Sequence, residues 1–298
     1  VINFVSQNKN KFEKIKMSFF EYTVALAFNH FANNVDIAII ETGLGGRLDS
    51  TNIINPEISI ITNIGYDHIN LLGNTLEKIA FEKAGIIKQS VPVVIGRIQK
   101  ETKNIFSETA DKKEAPISFS KKYNYATKSL KGNYQTENIN TAISALKILD
   151  WKISEENIIK GLDNISINTG IRGRWEQLKN EPLTICDTGH NKDGISNIIR
   201  QIKKINYKKL HFVFGSVNDK DLDEILRILP KNATYYFCHA QINRALNSNI
   251  LKRQALNHKL RGDCFTTVSK AYKAALKSAE KEDLIFIGGS TFVVAEVL

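Results

Sequence analysis

Val35-Asp36-Ile37-Ala38-Ile39-Ile40-Glu41-Thr42-Gly43-Leu44-Gly45-Gly46-Arg47 passes from an apolar, β-branched run straight into a glycine-rich turn, with a carboxylate at the junction. Residues 36–40 read as a buried strand, because a strand covered on both faces shows a continuous apolar run rather than alternation. Upstream, residues 17–33 set Phe20, Val24, Ala27, Phe28 and Phe31 near helical spacing. Downstream, 57–62 and 91–95 read as further strands on either side of a helix over 75–88, and 135–149 with 154–162 as a helical pair. Strands alternating with helices predict an α/β fold with a mostly parallel sheet.

Residues 164–174, N-I-S-I-N-T-G-I-R-G-R, are rich in turn formers and lack helical period, which marks a boundary between domains over 1–171 and 172–298. A second series follows: strands over 183–186, 210–214, 234–237 and 284–287, with helices starting near Gly194, Asp219, Ser248 and Val268. A chain of 298 residues is long enough for two such cores.

Composition excludes several classes. With 17 Gly, 5 Pro and 42% hydrophobic residues the chain is neither collagenous nor disordered. Its apolar runs are strand-length, well short of the ~18 residues a membrane span needs, so no membrane partner is expected. The net charge of +10 comes from lysines scattered in doublets such as Lys112-Lys113 and Lys208-Lys209, not from a basic stripe with a reading element, so no nucleic-acid partner is expected either. Cys186, Cys238 and Cys264 form no C-x-x-C pair, and a reducing, cytoplasmic location is expected.

In open α/β sheets the reactive residues follow the carboxyl ends of the strands. At the first junction the glycines do not make G-x-G-x-x-G, since Leu48 occupies the last position, and Glu41 is a candidate metal ligand or base. At the second, Asn63-Ile64-Gly65-Tyr66-Asp67-His68 places an imidazole beyond the next strand. Glu41 and His68 on neighbouring strand ends form a partial shell for a divalent cation. At the third, Asp187-Thr188-Gly189-His190-Asn191, Asp187 can take a ribose hydroxyl, while His190 or Asn191 can cap the following helix or touch a nucleotide.

Read together, these segments resemble the folylpolyglutamate synthase and dihydrofolate synthase branch of the Mur ligases. The matches are 18–23 (S-F-F-E-Y-T), 41–52 (E-T-G-L-G-G-R-L-D-S-T-N), Asp67-His68, Leu72-Gly73-Asn74-Thr75, 82–88 (E-K-A-G-I-I-K), Gln135 with Asn138, Gly173-Arg174, 187–191, Asp219-Lys220-Asp221 and Gly289-Ser290, in family order along essentially the whole chain. The resemblance implies a central ATPase domain followed by a Rossmann-like C-terminal domain. It also implies ATP- and Mg²⁺-dependent ligation of L-glutamate to dihydropteroate or a reduced folate through an acyl phosphate. By resemblance, Glu41 and His68 hold Mg²⁺, Lys83 is the lysine that the family carbamylates, Asn138 and Arg174 contact ATP, and Asp187 its ribose. His190 stands beside the nucleotide, and Ser290 is near the glutamate. Met17, Ser18, Phe19, Phe20, Leu48, Asp49 and Ser50 match segments that contact the pterin. A monomer is expected.

The resemblance has one gap. The family carries a phosphate loop near its N-terminus, and no G-x-x-x-x-G-K-[ST] occurs here. A fragment that lacks this part, and is inactive by itself, is therefore expected. The alternatives are another Mur-type amino-acid ligase, against which the pterin-contact segments argue, and a nucleotide-binding homologue without ligase activity.

Overall fold

A computed structural model describes residues 1–149, 151–218 and 222–298. The motif Asp219-Lys220-Asp221, and with it the expected helix start at Asp219, lies outside the described residues. The chain divides into two compact units, residues 1–64 with 69–120, and residues 65–68 with 121–298. The boundary expected at 164–174 thus falls within the second unit.

The first unit comprises α1 (Ile2–Ile15), α2 (Phe19–Asn34), β1 (Ser59–Ile61), α3 (Ile69–Leu72), α4 (Leu76–Ala84), β2 (Val93–Ile95), α5 (Lys100–Lys112) and β3 (Ile117–Phe119). Helix α2 begins in a reciprocal capping box: the Glu21 N–H donates to Ser18 Oγ at 3.2 Å, and the Ser18 N–H to Glu21 Oε2 at 2.6 Å. Strands β1, β2 and β3 form a parallel sheet in that order. Its core joins Ile61, Val93 and Ile95 to Ile79, Ala80 and Ala84 of α4 and Phe106 and Ala110 of α5. The strand expected over 36–40 does not form: the segment has no ladder among the described residues, and Ile39 is 93% exposed. Apolar, β-branched residues favour a strand, but only a hydrogen-bonded neighbour completes one, and none pairs with this run among the described residues.

The second unit comprises α6 (Gln135–Ile148), α7 (Glu155–Asp163), α8 (Ile165–Thr169), β4 (Glu176–Asn180), β5 (Leu183–Asp187), α9 (Lys192–Ile202), β6 (Leu210–Phe214), α10 (Leu222–Ile228), β7 (Ala233–Phe237), α11 (Ser248–Asn257), β8 (Arg261–Cys264), α12 (Val268–Ser278), β9 (Leu284–Gly288) and α13 (Thr291–Ala295). The sheet order is β4-β5-β9-β6-β7-β8, parallel except for the antiparallel edge strand β4. Both faces are covered. Phe212, Phe214, Tyr235, Phe237 and Phe286 pack on one side with Ile195, Ile198, Ile199 and Ile202, the i, i+3, i+4, i+7 stripe of α9. Val213, Ile285 and Ile287 pack on the other side with Val268, Ala271 and Ala275 of α12. Each fully buried phenylalanine contributes about 1.5–3 kcal/mol of transfer free energy.

Strand β9, the last in sequence among the described residues, inserts between β5 and β6. Register then aligns Asp187 of β5, Gly288 of β9 and Phe214 of β6 in one row at the carboxyl edge. That edge lies at the carboxyl ends of the parallel strands, the side on which open α/β sheets bind ligands.

Candidate functional site

In the first unit the loop over 43–52 is organised from within by Asp49. Its buried carboxylate accepts from the Leu44 N–H at 2.8 Å, the Thr51 N–H at 2.9 Å and the Thr51 hydroxyl at 2.5 Å. Burial pushes the Asp49 carboxyl up, but the Thr51 hydroxyl and the N–H groups of Leu44, Thr51 and Gly43 outweigh it and hold the group below the usual range.

The same loop is bolted to the end of α4, the helix that carries Lys83. The Arg47 N–H donates to the Glu82 carbonyl at 2.7 Å, and its guanidinium grips the Glu82 carboxylate, Nη2 to Oε1 at 2.9 Å and Nε to Oε2 at 3.2 Å. Asn52 Nδ2 donates to the Gly85 carbonyl at 2.9 Å, and Lys88 Nζ to the Asn52 carbonyl at 2.7 Å. Gly85 has no room for a side chain, since a Cβ there would lie 2.3 Å from Arg47 Cα. Half-buried Lys83, in the last turn of α4, and the segment Leu48-Asp49-Ser50 therefore form one piece.

The other expected pterin contacts divide. Ser18 is spent on its cap, Met17 is half-buried, and Phe19 and Leu48 stand in solvent. Phe20 lies on Gly43, where a Cβ would meet its Cζ at 2.3 Å, so this ring belongs to the loop rather than to a helix core. Glu41 is exposed, and its carboxylate has no hydrogen-bond or ion-pair partner among the described residues. A cleft of about 410 Å³ lined by Leu71, Leu72, Gly73, Lys78, Phe81 and Glu82 was not foreseen from the sequence. The Arg47 guanidinium lies 5.6 Å from the centre of the Phe81 ring.

In the second unit Asp187 is the hub. Oδ2 accepts from the Tyr134 hydroxyl at 2.7 Å and the Trp175 N–H at 2.8 Å, and Oδ1 from the Gly189 N–H at 2.8 Å. Burial raises its pKa, only partly offset by these donors and by the charge of Arg174, itself exposed in the turn before Trp175. The adjacent Cys186 thiol is pushed up to about 12 by burial, which leaves it inert as a nucleophile.

His190 points Nδ1 at the Thr188 carbonyl, 3.1 Å away, so geometry assigns the proton to Nδ1 and leaves Nε2 3.6 Å from Asp67 Oδ2. Asn191 serves twice: Oδ1 caps α9 by accepting from the Gly194 N–H at 2.9 Å, and Nδ2 donates to Asp67 Oδ2 at 3.3 Å. His68 Nε2 lies 3.8 Å from Asp67 Oδ1. Asp67 thus gathers His68, His190 and Asn191 around one carboxylate, whereas Glu41 belongs to the first unit. No cluster of three His, Cys, Asp or Glu with metal-site geometry occurs among the described residues.

Asn138, on α6, donates to Gln135 Oε1 at 3.0 Å. Ser290 is buried and caps α13 by accepting from the Phe292 N–H at 3.2 Å, which leaves its own proton to give. Sequence reasoning missed Tyr134, whose only signal was its place just before the Gln135 and Asn138 pair.

The chain matches the Mur ligase middle domain over residues 4–169 and the Mur ligase glutamate ligase domain over residues 173–291. It is 31% identical over 305 residues to a dihydrofolate synthase/folylpolyglutamate synthase of Buchnera aphidicola from Schizaphis graminum, covering 95% of this chain and 71% of that one. It is 29% identical to a probable bifunctional folylpolyglutamate synthase/dihydropteroate synthase of Haloferax volcanii, where it spans 94% of itself but only 36% of the relative. Among solved structures, E. coli FolC in complex with DHPP and ADP superposes with a TM-score of 0.81 at 27% identity, over 94% of this chain and 70% of that one. A bifunctional folylpolyglutamate synthase/dihydrofolate synthase with Mn, AMPPNP and L-glutamate bound gives 0.81 at 26% identity, over 94% and 71%.

Proposed function

The chain belongs to the Mur ligase family, and on that premise we propose that it is an ATP-dependent ligase joining L-glutamate to the carboxyl group of dihydropteroate or a reduced folate. The observation that carries the reading is that similar chains, matched along nearly the whole of this chain and about 70% of their own, are named for this activity and have been solved with DHPP, ADP, Mn, AMPPNP and L-glutamate.

In this reaction a carboxylate oxygen of the pteroate attacks the γ-phosphorus of ATP and ADP departs. The glutamate amine then attacks the acyl carbon, phosphate leaves, the amine loses its proton, and an amide remains. A bound divalent cation supplies charge neutralisation over the phosphoryl group in flight. Glu41 and His68 would hold it. An exposed, partnerless carboxylate suits a hard cation that takes the rest of its shell from phosphates and water. Lys83 adds a cation beside the same oxygens or, as a carbamate, an oxygen ligand.

Asn138 and Arg174 bind the nucleotide, and Asp187 has one of its roughly four acceptor sites left for a ribose hydroxyl. His190 stands beside the nucleotide, and the Ser290 hydroxyl faces the amino-acid substrate in the glutamate ligase domain. Phe19 offers an open ring face for a flat heterocycle. Leu48 supplies apolar contact, while Met17, Ser18, Phe20, Asp49 and Ser50 shape the loop and helix start around it. The proposal includes a monomeric cytoplasmic enzyme, in keeping with three unpaired cysteines. Residues 1–171 would act as the ATP-binding domain and 172–298 as the glutamate domain.

The test is phosphate release by the full-length gene product. Turnover that requires ATP, L-glutamate and dihydropteroate or tetrahydrofolate together supports the reading. Turnover with a different amino acid and no pteroate substrate overturns it.

A further inference from the structure

The Asp187 carboxylate is only 3% exposed, yet none of its three donors is a cation. Each donor belongs to a segment that carries one residue of the nucleotide site described above. Tyr134 is the N-cap residue of α6, one turn before Asn138. Trp175 follows Arg174, and Gly189 precedes His190. Three separate stretches of chain are thereby fixed on one anion, with one of its roughly four acceptor sites left for the ribose hydroxyl proposed above.

Two of these donors are backbone N–H groups, so the tyrosine hydroxyl is the side-chain member of the set. Its ring is seated with little tolerance. Gly132 lies against it, and a Cβ at that position would come within 2.7 Å of both Cε1 and Cζ. The approach to the ring is strapped to α9: the Asn133 N–H donates to Gln201 Oε1 at 2.8 Å, and Gln201 Nε2 donates to the Lys131 carbonyl at 3.2 Å. Beyond the ring, Asn138 leans on Gln135. A run from 131 to 138 is therefore held at one end by α9, at its middle by Asp187, and presents Asn138 at the other.

We propose that Tyr134 is a positioning residue for the nucleotide: its hydroxyl, donated to Asp187, sets the start of α6 so that Asn138 is held in register with Arg174 and His190. A neutral phenol suits the task, because it satisfies a buried carboxylate without bringing a second charge out of water. The inference rests on the nucleotide reading of Asn138, Arg174 and Asp187.

The experiment is Tyr134→Phe in the full-length protein, which keeps the ring and removes the hydroxyl, with Gly132→Ala as a second variant that displaces the ring. ADP binding is titrated calorimetrically at a temperature where circular dichroism shows each variant folded, and steady-state constants for ATP are measured alongside. The expected result is ADP affinity down about tenfold, the order of a lost hydrogen bond to a charged group. KM for ATP rises by a similar factor, and kcat at saturating ATP stays within about twofold. A lowered melting temperature with unchanged ADP affinity in both variants overturns the proposal, since that is all a purely structural tyrosine would give. Asn138→Ala and Arg174→Ala separate the two levels. If neither weakens ADP binding, the nucleotide reading itself falls; if both do and Tyr134→Phe does not, the positioning role alone falls.

Discussion

Arg47 and Glu82, from a glycine-rich loop and a helix end, meet as a fork, with guanidinium Nη2 2.9 Å from one carboxylate oxygen and Nε 3.2 Å from the other. The Arg47 N–H adds a bond of 2.7 Å to the Glu82 carbonyl. The residue after Glu82 is Lys83, and the residue after Arg47 is Leu48, so the fork fixes the lysine and the segment proposed to contact the substrate to each other.

Glu82→Gln should cost little stability, about 1 kcal/mol or less, because the pair is partly exposed and screened. Turnover should fall roughly tenfold or more, since small displacements of catalytic groups are costly in rate. Chemical unfolding and kcat on the same preparation check this, and parallel losses in both would refute it.

Gly85→Ala should destabilise by roughly 1–3 kcal/mol, the range for forced overpacking. Its new methyl would lie 2.3 Å from Arg47 Cα, a backbone atom that cannot rotate aside. Thermal melting of this variant beside Gly161→Ala, where a Cβ would meet nothing within 4 Å, gives the comparison. Equal melting temperatures would contradict the close approach.

The Asp49 carboxyl lies below its usual value in the folded protein. A depressed folded pKa adds stability that is fully present above the unfolded value, near 4, and is lost as pH falls through the folded value. Asp49→Asn should therefore cost about 1–3 kcal/mol at pH 7 and progressively less below pH 4. Urea midpoints at pH 7 and pH 3 measure it, and a pH-independent difference would count against the assignment.

Glu41→Ala and His68→Ala should lower turnover, and raised Mg²⁺ should recover part of the loss, because each removes a proposed ligand. Stability should be unaffected in Glu41→Ala, since that carboxylate has no partner among the described residues. Lys83→Ala should be partly rescued by short carboxylates supplied in solution. Unchanged turnover in all three would dismiss the metal-site reading.

The strands legible in the sequence are the central ones, β2, β5, β6, β7 and β9, together with the edge strand β1. Leu210-His211-Phe212-Val213-Phe214 carries its identity in its own composition. The edge strands β4, Glu176-Gln177-Leu178-Lys179-Asn180, and β8, Arg261-Gly262-Asp263-Cys264, do not. Their neighbours impose the conformation, and at Gly262 a Cβ would lie 1.9 Å from the Tyr235 carbonyl oxygen. Residues 36–40 show the reverse case, with strand composition and no ladder. The proposed site follows the same rule. Asp187 and His190 were visible because each follows an apolar run, whereas Tyr134 lies 53 positions from the carboxylate it serves, and no local pattern records that partnership.

The position of β9 bears on how the second unit is made. Synthesis delivers β5 and β6 well before Leu284 to Gly288, yet in the finished sheet β9 lies between them. Until that segment leaves the ribosome, two apolar strands wait with their facing edges unpaired, a state open to mispairing and aggregation. The parallel sheet can close only once Leu284 to Gly288 has been made, and a ribosome stalled before Leu284 would hold a nascent chain whose central gap no other strand among the described residues is placed to fill.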